Sequence, residues 1–242
     1  MKSILDRIEK NRLMINSIVN TYFQVDQSLK LFKHLIDNDE FLKRWEDSYS
    51  ESGVNSLRFS LYMSILAEMR AIMFDQGTKV ASVHGTIKTL KDESFVQKLK
   101  VWFCDTSENE IISIDGSLTE PGIEAIKEND YQRKVKAFDE LLSSTLSAYQ
   151  ELTESELCIR VNSARNKIIS HKEFHTSIHL ERRMYDVQYF GLKYSDAEDI
   201  VEKSQQIIFN VYSLFTRSYF DAEHSLKHHE RVAKEFWSKS IA

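Results

Sequence analysis

An all-α fold is what this 242-residue sequence predicts, on three observations. Glycine and proline are scarce, with six of the first and one of the second, where an average soluble protein holds about 12% of the two together. Sandwiches, barrels and doubly wound sheets draw on these residues at their turns, so long helices joined by few connections are what the composition leaves. Apolar residues recur with the 3.6-residue period of a helix face along most of the chain. Hydrophobic residues make up 42% and charged residues 29%, the balance of a globular core under a charged surface. More than half of the residues are expected to be helical, with at most a short ribbon in 105–119 or 173–194.

The apolar spacing gives the elements in order. Ile4, Leu5, Ile8, Leu13, Ile15, Ile18, Val19, Tyr22, Phe23, Leu29, Phe32 and Leu35 fit one long helix or two stacked ones over 3–36. Asp37-Asn38-Asp39 reads as a break, followed by a short helix with Phe41, Leu42 and Trp45 and a polar loop over 48–56. Val54 to Phe74 is rich in Leu, Met and Ile and reads as a buried central helix ending near Gly77. Shorter helical pieces follow over 78–104. Residues 105–120 hold Asp105, Glu108, Glu110, Asp115 and Glu120 without Lys or Arg, and Pro121 closes the stretch at the first turn of the next helix. Helices over 121–149 and 153–171 are expected, then an aromatic-rich stretch over 173–194. Ser195 and Glu198 make an S-x-x-E capping box opening a last helix that runs to about Trp237. The organisation is thus an N-terminal helical half over 1–104, an acidic surface loop over 105–120 and a C-terminal helical half over 121–242, packed as one compact domain.

Several function classes are excluded at this level. No GxGxxG or GxxxxGK[ST] loop is present to cradle a phosphate. The N-terminal MKSILDRIEKNRLM is charged throughout and is not read as a secretory signal. No apolar run approaches the roughly 18 residues of a membrane span. Cys104 and Cys158 are far apart, with no CxxC pair, and are expected as buried free thiols in a reducing cytoplasm. The net charge of −5 argues against wholesale wrapping of nucleic acid but leaves room for a local basic site.

One window breaks the charge balance. From Cys158 to Arg183 the cations are Arg160, Arg165, Lys167, Lys172, Arg182 and Arg183, against Glu173 and Glu181, with His171, His175 and His179 among them. A cationic island on an acidic protein is a candidate anion site, although a solvated helix face would have the same composition. Inside it, Arg165-Asn166-Lys167-Ile168-Ile169-Ser170-His171 reads R-N-K-x-x-S-H.

This motif resembles that of the HEPN superfamily of helical nucleotide- and RNA-handling domains, and within it the AbiU-like abortive-infection branch, where the pattern is R-N-K-x-x-A-H-x-D. Here Ser170 stands for Ala and Glu173 for Asp. LKYSDAEDIVEKSQQIIFNVYSLF at 192–215 suits the branch's closing helix, and LAEMRAIMFDQGTKVASVHGTIKTLKD at 66–92 is more loosely similar to its N-terminal part. The resemblance covers roughly residues 60–220. It implies a HEPN-like helical bundle with additional N-terminal helices, and a metal-independent endoribonuclease of an anti-phage or toxin type that leaves a 2′,3′-cyclic phosphate and a 5′-OH. It implies Arg165, Asn166 and His171 as the catalytic set, in a composite site at a homodimer interface. Lys167, Arg160 and Lys172 are the expected substrate-binding cations. RNA would be the substrate, with an antitoxin or phage-derived trigger as a further partner, and no cofactor, metal or membrane. The alternative is a non-catalytic HEPN-like module that binds nucleotide, RNA or a protein partner.

The residue types suit such chemistry. RNA carries its own nucleophile in the 2′-OH, so the protein needs only proton transfer and stabilisation of charge on phosphorus. Histidine, with an ordinary pKa near 6.5, can give or take the proton, and the arginine fork matches phosphate oxygens. On a helix, positions six apart lie about 120° round and about 9 Å along the axis, so Arg165 and His171 do not share one tight face. Two-fold pairing would bring two of each to one cleft.

Other constellations compete. His171, His175 and His179 at spacing four, or Asp221, His224 and His228 with His229 beside them, could present metal ligands on a helix face. A polar stripe near the C-terminus is the plainer reading of the second set. Glu68 and Asp75 could be buried polar groups in the apolar helix over 54–75.

Overall fold

Eight helices hold 81% of the described residues in the computed structural model, and no strand occurs among them. The structure describes residues 3–37, 42–107, 119–164 and 191–239. The helices are α1 (Ile4–Lys33), α2 (Glu51–Phe74), α3 (Val83–Leu90), α4 (Glu93–Cys104), α5 (Glu120–Glu154), α6 (Glu156–Ala164), α7 (Ser195–Thr216) and α8 (Glu223–Lys239). The all-α expectation holds, and 3–36 forms a single helix.

Local chemistry places several starts. Ser3 and Asp6 form a reciprocal capping box on α1, the Ser3 hydroxyl accepting from Asp6 N and the Asp6 carboxylate from Ser3 N. The Ser82 hydroxyl accepts from Gly85 N at the head of α3, and the Asp92 carboxylate accepts from Phe95 N at the head of α4. Pro121 sits in the first turn of α5, where its missing N–H costs nothing.

The core is built around α7. Its buried positions include Ala197, Ile200, Val201, Ile207, Ile208, Val211, Leu214 and Phe215, spread round the helix rather than along one stripe. It packs most extensively on α1 and α5, and then on α2. This differs from the expectation that 54–74 is the central helix. The burial of α2 is confined to its C-terminal part, Tyr62 to Phe74, while its first turns lie at the surface. One apolar cluster joins Ile8, Ile15 and Ile18 of α1, Met69 and Met73 of α2, Phe138 of α5, Val161 of α6 and the α7 residues.

Four boundaries move. The loop expected over 48–56 gives way to helix at Glu51, because no Gly or Pro interrupts the stretch except Gly53, which a helix tolerates at modest cost. The helix expected over 121–149 continues to Glu154, and Ser155 separates it from α6. The expected end of the following helix, at 171, lies outside the described residues, as does 108–118 of the acidic loop. The helix expected from Ser195 to Trp237 is broken after Thr216. Arg217 takes a left-handed conformation (φ 58°), its guanidinium 4.1 Å from the centre of the Trp102 ring and donating to the Trp102 carbonyl. The break turns α8 back onto α1, where His229 Nδ1 lies 2.8 Å from the Asp26 carboxylate and the Trp237 indole N–H donates to the Leu31 carbonyl at 3.1 Å.

The Ser195–Glu198 capping box does not form. Ser195 is already helical, and Glu198 instead pairs with Lys33 of α1. Glu68, expected as a buried polar group, is exposed. Asp75 is half-buried, accepts from Gly77 N at 2.8 Å and faces Arg70 at 3.6 Å.

Phe215 is fully buried and stacks on Phe95 with centroids 6.3 Å apart. Phe215→Ala is therefore expected to cost about 3–5 kcal/mol, read as a fall in the urea midpoint without a change in slope.

Candidate functional site

The R-N-K-x-x-S-H motif follows directly on α6. Arg165, Asn166, Lys167, His171 and Lys172 lie outside the described residues, together with Ser170, Glu173, His175 and His179. What is described is the frame on either side: α6, which leads into the motif, and Gly191–Tyr194 with the first turn of α7, which follows residue 190.

A buried ion pair joins the two sides. Asp196, in the first turn of α7, is fully buried. Arg160 of α6 meets it with Nη2 at 2.7 Å from Oδ1 and Nε at 3.2 Å from both carboxylate oxygens. The hydrogen bond from Arg160 to Asp196 is the main reason that its guanidinium is held even more firmly charged than usual. The second Asp196 oxygen accepts the backbone N–H of Lys193 at 2.9 Å. A buried carboxylate demands such partners, since desolvation of an unpaired charge costs several kcal/mol. Arg160, expected to bind substrate, is thus engaged by Asp196, with Glu156 a further 3.6 Å contact.

Aromatic packing fixes the returning strand of chain. The Tyr62 hydroxyl donates to the Lys193 carbonyl at 2.7 Å. Its ring meets Tyr194 edge to face at 5.3 Å, and Phe32 packs on both. The Arg58 guanidinium stands 5.3 Å from the Tyr194 ring centre, a cation–π contact. Burial pushes the Tyr62 phenol far up, so it remains a neutral donor. Gly191, with φ of 70°, supplies the left-handed turn by which the chain approaches.

On the opposite side of α6, Cys158 and Asn162 line a cleft of about 640 Å³ with Arg70, His84 and Tyr149. The Asn162 amide accepts from Arg70 Nε at 3.3 Å and donates to Cys158 Sγ at 3.3 Å. Burial raises the Cys158 thiol pKa despite that amide contact, and both cysteines are buried and unpaired with each other. His84 Nδ1 lies 3.0 Å from the Tyr149 hydroxyl.

Among the described residues no group of three or more His, Cys, Asp and Glu could hold a metal. Asp221, His224 and His228 are exposed, and it is His229 that is engaged, with Asp26. No described helix is long and apolar enough to cross a membrane. Asp196, Tyr62 and Tyr194 escaped the sequence reading. The available signal for Asp196 was an acidic residue on the same helical face as Ile200 and Ala197, which marks a carboxylate carried into the core.

An all-α core in which the helix before the basic motif is tied to the helix after it is consistent with a HEPN-like bundle. The chain belongs to the AbiU2 family of HEPN domains (HEPN_AbiU2), whose family model matches residues 4–236. The match reaches well beyond the 60–220 region that carries the sequence resemblance and takes in α1 and most of α8. No curated protein and no solved structure matches the chain.

Arg160→Ala leaves Asp196 buried with only a backbone partner and is expected to cost on the order of 3 kcal/mol. The double replacement Arg160→Met with Asp196→Leu, which removes both charges, is expected to recover part of that loss in urea denaturation. A double variant less stable than the single one contradicts the clamp.

Proposed function

We propose that this chain is a metal-independent endoribonuclease of an anti-phage or toxin type, working in the cytoplasm as a homodimer. Membership of the AbiU2 family together with Arg165, Asn166 and His171 in the R-N-K-x-x-S-H motif supports this reading. His171 moves the proton between the 2′-OH, the leaving 5′-oxygen and solvent, the one residue of the motif whose ordinary pKa suits that task near neutrality. Arg165 holds the phosphate and stabilises the charge that grows on its oxygens in the phosphorane-like transition state. Asn166 orients the phosphate, and Lys167 and Lys172 attract the backbone. Two copies of the 165–171 segment face each other across a two-fold axis, and an antitoxin or a phage-derived trigger controls access.

Arg160 then acts as a positioning residue. Through Asp196 it ties the helix that leads into the motif to the helix that follows it, and Tyr62 pins the Lys193 backbone beside them. Residues 165–190 therefore run between two anchored ends. Holding reacting groups in place is a large part of catalysis when the chemistry itself needs no cofactor. Ser170 and Glu173, which depart from the branch pattern, favour the second reading, a non-catalytic module that binds nucleotide, RNA or a protein partner.

The two are separated by a gel assay on mixed cellular RNA. His171→Ala is expected to lower cleavage by about 10²–10⁴ with the circular-dichroism spectrum unchanged. Arg165→Ala is expected to lose a similar amount, with Arg165→Lys recovering only part because the planar fork is gone. Cleavage persists in EDTA. If the unaltered protein cleaves nothing yet binds RNA as both variants do, the binding-module reading replaces the nuclease. Light scattering is expected to give a dimer at micromolar concentration, and a monomer would contradict the composite site.

A further inference from the structure

The cleft beside α6 adjoins a second one, of about 510 Å³, that opens between α1 and α3. Gln76, Gly77 and His84 line both, so the two meet at the α2–α3 turn. Both volumes fall in the range of ligand sites. Their charge is one-sided. Lys10 and Lys88 line one cleft and Lys91 the other, all three exposed. Among the described residues Asp75 is the only acidic side chain lining either, and it already faces Arg70.

Elsewhere on this acidic protein several of the described lysines meet carboxylates, as Lys30, Lys100, Lys134 and Lys227 do. Lys10, Lys88 and Lys91 have no ion-pair partner among the described residues. His84, Lys88 and Lys91 stand at i, i+4 and i+7 and so share one side of α3 and its C-cap, a row about 10 Å long. His84 is held through Nδ1 by Tyr149, which leaves Nε2 as the nitrogen open to a ligand. Asn162, which lines the cleft beside α6, stands three residues before Arg165 in the sequence. A line of unpartnered cations on a concave surface whose described lining is poor in acid attracts a polyanion.

We propose that the paired clefts over His84 form a track for the sugar–phosphate backbone of single-stranded RNA, with Lys10, Lys88 and Lys91 contacting successive phosphates away from the scissile one. This deepens the ribonuclease reading, because the track accounts for how a long RNA is held while a single phosphate reacts. It also stands apart from that reading, since binding here needs no cleavage.

The test measures binding in the full-length His171→Ala protein, so that no RNA is consumed. A fluorescent 20-nucleotide single-stranded RNA is titrated at several salt concentrations. The comparison is between that protein, the same protein carrying Lys10→Glu, Lys88→Glu and Lys91→Glu, and the same protein carrying Lys→Arg at these three positions. All three lysines are exposed, so circular dichroism is expected to be unchanged. The Glu set should weaken binding at least 10-fold and flatten the dependence of log K on log salt by about 2, the loss of three single-strand phosphate contacts. The Arg set should bind as the parent does. Equal affinity and slope for the Glu set would overturn the track, as would an Arg set as weak as the Glu set or a parent that does not bind the RNA. If the unaltered protein fails to cleave but the Glu set still loses binding, the nuclease reading falls and the track stands.

Discussion

A carboxylate buried with no access to water must find a cation, and Asp196 finds Arg160. The joint between the helices that flank the motif depends on that constraint. The pair reaches across 36 residues of sequence and brings the end of α6 to the start of α7. Whatever path 165–190 takes, it leaves from and returns to one place. Tyr62, Tyr194 and Phe32 pack against one another on the side of the buried carboxylate, while Arg160 keeps part of its side chain at the surface. A hydrophobic pair would serve stability as well or better. What an ion pair adds is a fixed geometry between the helix that precedes the motif and the helix that follows it.

The ion pair can do this only because α7 is immersed. Its neighbours α1, α2 and α5 cover it on several sides, and several of the polar groups carried inward with it find partners, although among the described residues the buried Ser204 hydroxyl does not. The Asn210 amide donates to Ser144 of α5 at 3.2 Å, the Gln205 amide oxygen accepts from the Tyr22 hydroxyl at 3.1 Å, and the Ser213 hydroxyl bonds back to the Phe209 carbonyl. The turn at Arg217 then folds α8 over the outside of α1, where Phe23, Phe209 and Phe220 pack with His229. The N-terminal helix is thus enclosed from both sides, by the central helix and by the last one. The family match from residue 4 to 236 spans all of these elements, as it should if none of them is dispensable to the core.

Charge is distributed in keeping with a nucleic-acid substrate. The chain carries a net −5, yet its basic window and the clefts beside α6 run the other way. On the ribonuclease reading, acidic surfaces elsewhere would discourage unproductive association with RNA, while local cations would draw it to one face. Arg70 and Asn162 link the wall of the cleft to the last turns of α6, so the proposed backbone-holding surface is joined to the helix that precedes the motif.

The sequence by itself determined the helical class, the helix opening at Pro121 and the motif. Those features are local: glycine and proline scarcity, a 3.6-residue period, Pro121 in a first helical turn, and R-N-K-x-x-S-H within seven residues. Only the tertiary structure decided which helix is central, because α2 and α7 have similar apolar content and differ in how many neighbours cover them. It also decided that the chain breaks at Arg217, where no glycine or proline signals a turn and the αL conformation is stabilised by contacts with the distant Trp102. Glu198 read as a cap in sequence but was captured by Lys33, 165 residues away. Arg160 read as one of several cations in a basic window, and its commitment to Asp196 could not be read from either residue alone. Periodicity and capping act within a few residues, whereas the pairing of buried charges is settled by which distant groups the packed core brings together.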